Sequence, residues 1–246
     1  MAPISYKHLT NDKAARMLEI YAQQQFRSTV ELRRLRMALI LWVIRAKVHR
    51  HLKRALDISV ASLLFILTLP IMLVTALAIR LESRGPIFFR QTRTGKWGKP
   101  FTCYKFRSMY ADAEQRMEEL RALNEVDGPI FKMKLDPRTT QVGRIIRKLS
   151  IDELPQLLNV FRGEMSLVGP RPALPQEVAQ YSYDQIGRLD AVPGLTGLQQ
   201  VTGRSDLDFE RWIELDLQYI AQQSLLMDVA ILLRTIPTVI LGKGAY

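Results

Sequence analysis

The stretch Ile58-Ser-Val-Ala-Ser-Leu-Leu-Phe-Ile-Leu-Thr-Leu-Pro-Ile-Met-Leu-Val-Thr-Ala-Leu-Ala-Ile79 runs for 22 residues without a formal charge. Wound as a helix it is long enough to cross a bilayer, so a membrane protein is the expectation. A long basic sequence precedes it, which argues against a signal peptide. Pro70 removes one backbone hydrogen bond near the middle and favours a kink there. Arg45, Lys47, Arg50, Lys53 and Arg54 precede the run, and Arg80, Arg84, Arg90 and Arg93 follow it. A straight span would carry one cluster across the membrane, against the positive-inside tendency. A re-entrant helical hairpin bent at Pro70 keeps both clusters on the cytoplasmic side, and a kinked spanning helix is its alternative. Thr68 offers a hydroxyl to a carbonyl freed by the proline.

Upstream, Tyr6 to Arg36 is polar and helix-forming, and Met37-Ala-Leu-Ile-Leu-Trp-Val-Ile44 is apolar but too short to span. Trp42 and the flanking Arg33, Arg34, Arg36, Arg45 and Lys47 suit an interfacial helix on anionic lipid. Packing against the rest of the protein, or against a second copy in a homodimer, fits equally well. Downstream, Pro86–Phe89 and Phe101–Phe106 read as a strand-turn-strand around Gly95-Lys-Trp-Gly98. Ala111–Leu123 has an exposed helical pattern, Asn124–Thr140 a loop pattern, and Leu154–Phe161, Leu207–Ile220 and Leu226–Leu241 read as helices. The expected architecture is α+β and mostly helical. It divides into an amino-terminal extension (1–52), a membrane hairpin (53–84) and a small cytoplasmic catalytic domain (85–246).

Lys and Arg number 35 against 24 Asp and Glu, a net charge of +11. That excess favours anionic partners such as phosphorylated substrates, acidic headgroups or nucleic acid. The uncharged run and the lack of zinc spacing or an RNA-binding aromatic motif set nucleic acid aside. The single cysteine, Cys103, excludes an intrachain disulfide framework and reads as a buried structural thiol. His8, His49 and His51 all fall in the amino-terminal and juxtamembrane segments, where exposure or headgroup contact accounts for them.

The chemistry concentrates at Ser150-Ile-Asp-Glu-Leu-Pro-Gln156 and Met165-Ser-Leu-Val-Gly-Pro-Arg-Pro172. Asp152 and Glu153 are adjacent carboxylates flanked by Arg144, Arg147, Lys148, Arg162 and Arg171, a positive surround for any anion. Spacing alone favours a plainer reading, because Ser150 to Glu153 also fits a capping box at a helix start. Arg171 lies between two prolines that restrict its backbone and could present it to an anion; a solvent-facing turn is the alternative. Lys105 and Arg107 alternate at strand period and so could line one face toward substrate. Gly194, Gly197, Gly203 and Arg204 suit close approach of a phosphate, or simply tight turns.

Seven motifs in order give this sequence a resemblance. They are Lys53-Arg-Ala-Leu-Asp57, Gly85-Pro-Ile-Phe-Phe-Arg-Gln91, Tyr104-Lys-Phe-Arg-Ser-Met109, Asp152-Glu-Leu-Pro-Gln156, Ser166-Leu-Val-Gly-Pro-Arg-Pro172, Pro193-Gly-Leu-Thr-Gly197 and Gly244-Ala-Tyr246. From about Lys53 to Tyr246 the chain resembles the bacterial sugar transferases, monotopic polyprenyl-phosphate phosphoglycosyl transferases. The resemblance implies transfer of a hexose-1-phosphate from a UDP-sugar to polyprenyl (undecaprenyl) phosphate, with release of UMP, at the cytoplasmic face of the inner membrane. Such a reaction would begin an exopolysaccharide, capsule or O-antigen. It implies Asp152 as nucleophile, Glu153 as a neighbouring acid-base or metal-associated group, and Arg147 as a phosphate ligand. Mg2+ would be held by Asp152 with phosphate and water. It also implies the hairpin, with Lys53 and Arg54 near the headgroups. The bend departs from the family pattern, since Leu69-Pro70 stands where relatives carry Ser-Pro. The competing reading is a non-catalytic membrane scaffold of polysaccharide assembly.

Overall fold

The uncharged run occupies the carboxy-terminal half of a 54-residue helix, α1 (Thr29–Glu82). The computed structural model describes residues 29–116, 133, 136–203 and 207–241. Along α1 the buried positions Asp57, Ala61, Met72, Thr75 and Ile79 recur at helical spacing on one stripe. The stripe keeps its phase through Pro70, which lies inside the helix, so the expected hairpin is not seen as a break. Thr68 Oγ1 donates to Leu64 O at 2.7 Å, whereas the carbonyl that proline deprives of its helical donor is that of Ile66. The expected repair is therefore absent, and the bond Thr68 makes is of the kind that bends a helix slightly. The opposite face is apolar and open, with Ile66 and Val74 each 69% and Leu81 77% exposed. A contiguous surface of this kind is built for lipid or protein rather than water. Among the described residues this is the one helix long and apolar enough to cross a membrane.

Both ends of the apolar segment are tied into the same domain. Lys53 Nζ donates to Asp228 at 2.8 Å and to Val168 O at 3.0 Å. Arg54 donates to Val160 O and Phe161 O, two end carbonyls of α3 (Leu157–Arg162), which Gly163 terminates in the left-handed region. Lys53 and Arg54, expected near headgroups, are half-buried and bind the polar domain through these bonds. Asp57 accepts from Ser166 Oγ and Leu167 N, both at 3.0 Å. At the far end Glu82 accepts from the Val142 N–H at the start of α2 (Gln141–Lys148). Arg107 donates to the carbonyls of Ser83 and Arg84 just beyond α1.

Strands β1 (Phe88–Thr94) and β2 (Pro100–Phe106) form an antiparallel hairpin, Phe88 opposite Phe106, closed by a 3-10 turn at Lys96–Gly98. The expected strand-turn-strand is present, with its first strand displaced toward Thr94. Strands β3 (Ser166–Val168) and β4 (Gly194–Thr196) pair in parallel. A Cβ on Gly169 or Gly194 would strike the other's backbone, so close strand packing requires these glycines. Short helix α4 (Pro175–Val178) packs on β1, and α5 (Leu198–Thr202) packs on the two long helices that follow it. The long helices α6 (Phe209–Gln222) and α7 (Leu225–Leu241) lie where the apolar periodicity put them. Ala111–Arg116 forms turns, not the expected helix, and the remainder of that pattern with most of the following loop falls outside the described residues.

Two apolar clusters join these pieces. The larger contains Ala61, Leu157, Val160, Leu167, Val168, Tyr219 and Ile231; the smaller contains Met72, Ile79, Phe106 and Ile146. Each Val, Leu, Ile, Phe or Met side chain among them contributes about 1.5–3 kcal/mol by leaving water. Strand β2 bridges the clusters, with Cys103 in one and Phe106 in the other. Asn159 fixes its middle, donating to Thr102 O and accepting from Tyr104 N. The strand that carries Lys105 is therefore held from both sides.

Candidate active site

The chain leaves α2 through Ser150, a non-glycine residue with φ 55° and ψ 20°. Its side chain makes no capping hydrogen bond, so the capping-box reading fails. The left-handed turn starts a 3-10 segment, Ile151–Gln156, that carries Asp152 and Glu153. Asp152 is buried, at 8% exposure. Lys105 Nζ lies 2.6 Å from Glu153 Oε1 and 4.0 Å from Asp152 Oδ2. The Glu153 side chain therefore turns to a lysine from β2 rather than back to its own helix start. Among the described residues no side chain hydrogen-bonds the Asp152 carboxylate.

Burial pushes the Asp152 carboxyl up to about 6; Lys105 opposes this, Glu153 adds to it, and Arg147 and Arg171 oppose it. A group in that position is mostly ionised at neutral pH yet poorly solvated, the condition of a reactive carboxylate. Beside it an open cleft of ≈ 270 Å³ is lined by Arg93, Cys103, Lys105, Glu153, Gln156, Arg171, Pro172, Gly194, Leu195 and Gln200. Three cations face one another there. Arg93 shows the effect: burial lowers its pKa, and the Arg171 guanidinium lowers it further. Such a cluster gains when an anion enters.

The structure gathers Asp152, Glu153, Lys105 and Arg171 at this cleft, with Arg147 close enough to act on Asp152 while donating to Thr139 Oγ1 at 3.2 Å. Arg107 is not gathered. It follows Phe106, the last residue of β2, and caps the end of α1, so strand alternation does not carry it beside Lys105. Arg204 lies outside the described residues. Cys103 is buried and its thiol pKa is pushed up by burial, as a structural thiol's would be. Arg93 and Gln200 were missed by sequence reasoning. Arg93 had a signal, since period two along β1 puts it on the half-buried face with Phe89 and Gln91. Gln200 had none beyond its neighbouring glycines.

For a divalent cation, Asp152 and Glu153 are the donors present, and among the described residues no group of three or more metal-ligating side chains occurs. That donor set fits Mg2+, which takes one or two carboxylates and completes its shell with water and substrate phosphate. Lys105, poised between the two carboxylates, occupies the position of a counter-charge.

The bacterial sugar transferase family matches residues 48–242, and the chain belongs to it. It is 40% identical to the exopolysaccharide production protein ExoY of Rhizobium meliloti, over 79% of this chain and 88% of that one. It is 43% identical to the undecaprenyl-phosphate galactose phosphotransferase of Salmonella typhimurium, over 80% of this chain and 42% of that one. It is 42% identical to the undecaprenyl-phosphate glucose phosphotransferase of Komagataeibacter xylinus, over 79% of this chain and 37% of that one. The chain thus covers most of one relative and less than half the length of the other two.

Proposed function

We propose that this protein transfers a hexose-1-phosphate from a UDP-sugar to undecaprenyl phosphate, a reading supported by the names of the Salmonella and Komagataeibacter relatives, undecaprenyl-phosphate galactose and glucose phosphotransferase. The product would begin an exopolysaccharide or capsule. An oxygen of Asp152 attacks the β-phosphorus, the bond from that phosphorus to the bridging oxygen breaks, and UMP leaves with the electron pair. The acyl-phosphate that remains is attacked at the same phosphorus by an oxygen of the lipid phosphate, which restores the carboxylate. The observation that carries this reading is Asp152 itself: buried, free of hydrogen bonds among the described residues, and surrounded by Lys105, Arg147 and Arg171. Lys105 and Arg171 bind and orient the diphosphate, and Glu153 holds Lys105 at the cleft. Mg2+ held by Asp152 and Glu153 would supply charge neutralisation on the phosphate oxygens.

The proposed membrane arrangement is monotopic, with both ends of the apolar segment on the cytoplasmic side. Its support is that Lys53 and Asp57 at one end and Glu82 at the other bind the same polar domain. A bilayer-crossing segment would put those two ends on opposite faces of the membrane, which one polar domain binding both ends does not favour.

The test is UMP release by the detergent-solubilised protein with Mg2+, undecaprenyl phosphate and a panel of UDP-sugars. Turnover with one or two sugars, lost by at least ~10³-fold in Asp152→Asn, is expected. Undiminished release from that variant would remove the covalent route, and silence of folded wild type across the panel would remove the transferase reading.

A further inference from the structure

Beyond the cleft, Arg171 is gripped by a charge pair that the reaction itself does not require. Arg188 lies in a 3-10 turn, Ile186–Asp190, and Asp216 on α6. Their side chains meet at 2.6 Å with 4% and 1% exposure, and Arg188 Nε adds a second bond at 2.9 Å. Arg188 reaches onward from that pair with Nη1 donating to Tyr181 OH and Nη2 lying 3.4 Å from Arg171 O. Asp216 Oδ1 is buried without a hydrogen-bond partner, and the nearby Arg171 backbone opposes the upward push of burial on that carboxyl's pKa. One turn earlier on α6, the Trp212 ring lies under the Arg171 guanidinium, 5.7 Å from centroid to Cζ. From the other side Arg93 Nη1 donates to Pro172 O at 3.0 Å, and Thr94 N donates to Ala173 O at 2.8 Å.

We propose that Arg188 and Asp216 are positioning residues that preset Arg171: Asp216 fixes Arg188, Arg188 holds the Arg171 carbonyl, and Trp212 holds the guanidinium, so that the phosphate-binding arm enters the cleft in one orientation. A buried ion pair is a poor source of net stability, because desolvation offsets most of its attraction. Here Arg188 of the pair reaches the carbonyl of one cleft arginine, and α6 presents Trp212 and Asp216 toward it from a single face. Fixing a guanidinium before the ligand arrives removes the ordering cost at the moment of binding. Arg171 also lines a second pocket of ≈ 240 Å³, whose wall includes Arg188 and Tyr181. Its side chain thus has a second space to fall into when the grip is lost.

The inference rests on the transferase reading of the cleft, and its test separates the two. In a double-mutant cycle on the full chain in detergent, kcat/KM for UMP release and the affinity for inorganic pyrophosphate are measured for wild type, Asp216→Asn, Arg171→Ala and the double variant. Asp216→Asn is expected to lower both quantities by about as much as Arg171→Ala, roughly 10- to 100-fold, and to add little in the Arg171→Ala background. A merely structural pair would lower them by the same factor in both backgrounds, and that result overturns the proposal. Loss of thermal stability with unchanged pyrophosphate affinity overturns it too. If Asp216→Asn does not fold, Arg188→Lys replaces it in the cycle, since it keeps the charge but loses the arm to Arg171 O. If wild type shows no turnover, the transferase reading fails and the pyrophosphate cycle alone decides the clamp.

Discussion

Two buried carboxylates, Asp228 and Asp152, stand in opposite settings. Asp228 has both oxygens engaged, one by Lys53 at 2.8 Å and the other by Tyr219 at 2.7 Å, and both donors also reach Val168 O. Asp152 has its nearest cation, Lys105, at 4.0 Å, leaning toward Glu153. One carboxylate is complete without a ligand. The other keeps empty acceptor positions beside more cations than it can neutralise. A charge that only holds the fold is saturated by its neighbours, and one reserved for chemistry is left short of them.

Removing the partner of the saturated carboxylate should have the largest effect on stability. Lys53→Met strands Asp228 and is expected to lower unfolding free energy by about 3–5 kcal/mol. A change below about 1 kcal/mol in denaturant unfolding would erase the contrast. Removing the partner of the unsaturated one should act on rate instead. Lys105→Met is expected to lower kcat by about 10²–10³-fold with little loss of stability. Equal losses of both would show the lysine to be structural.

The pH dependence sharpens the comparison. Asp152 has a folded pKa of about 6 against an ordinary 3.8, so between those values the native state holds a proton that the unfolded state releases. Its contribution to stability therefore falls as pH rises across that window. Asp152→Asn should be more stable than wild type above about pH 6, by ~1–3 kcal/mol, and the two should converge below about pH 4. Thermal unfolding at both pH values checks the sign. Wild-type turnover should rise through about pH 6 as the carboxylate ionises. The smallest effect is expected at Ser150, already in the left-handed region. Ser150→Gly should change stability by no more than ~1 kcal/mol and keep activity, while Ser150→Val should lower both.

Much of this was legible in the sequence. The hairpin strands and α6 and α7 follow from short-range periodicity, which burial on one face enforces locally. The Ser150–Glu153 pattern misled, because the capping rule considers only neighbours in sequence. Lys105, 48 residues from Glu153, offered that carboxylate a stronger partner. Arg107 misled in the same way, for strand alternation ends where the strand does. The clamp on Arg171 was invisible, since Arg188 and Asp216 meet across 28 residues and neither belongs to a motif.

The sequence by itself determined an apolar helix flanked by cations, a mostly helical α+β chain and the family to which it belongs, because charge-free length, periodicity and local motifs are properties of neighbouring residues. The tertiary structure alone decided which cations stand near the carboxylates, that Lys53 and Arg54 bind the polar domain, and that Asp152 is desolvated with only a distant ion pair to Lys105. Those outcomes depend on which distant side chain arrives first at a buried charge, and only the packed chain sets that.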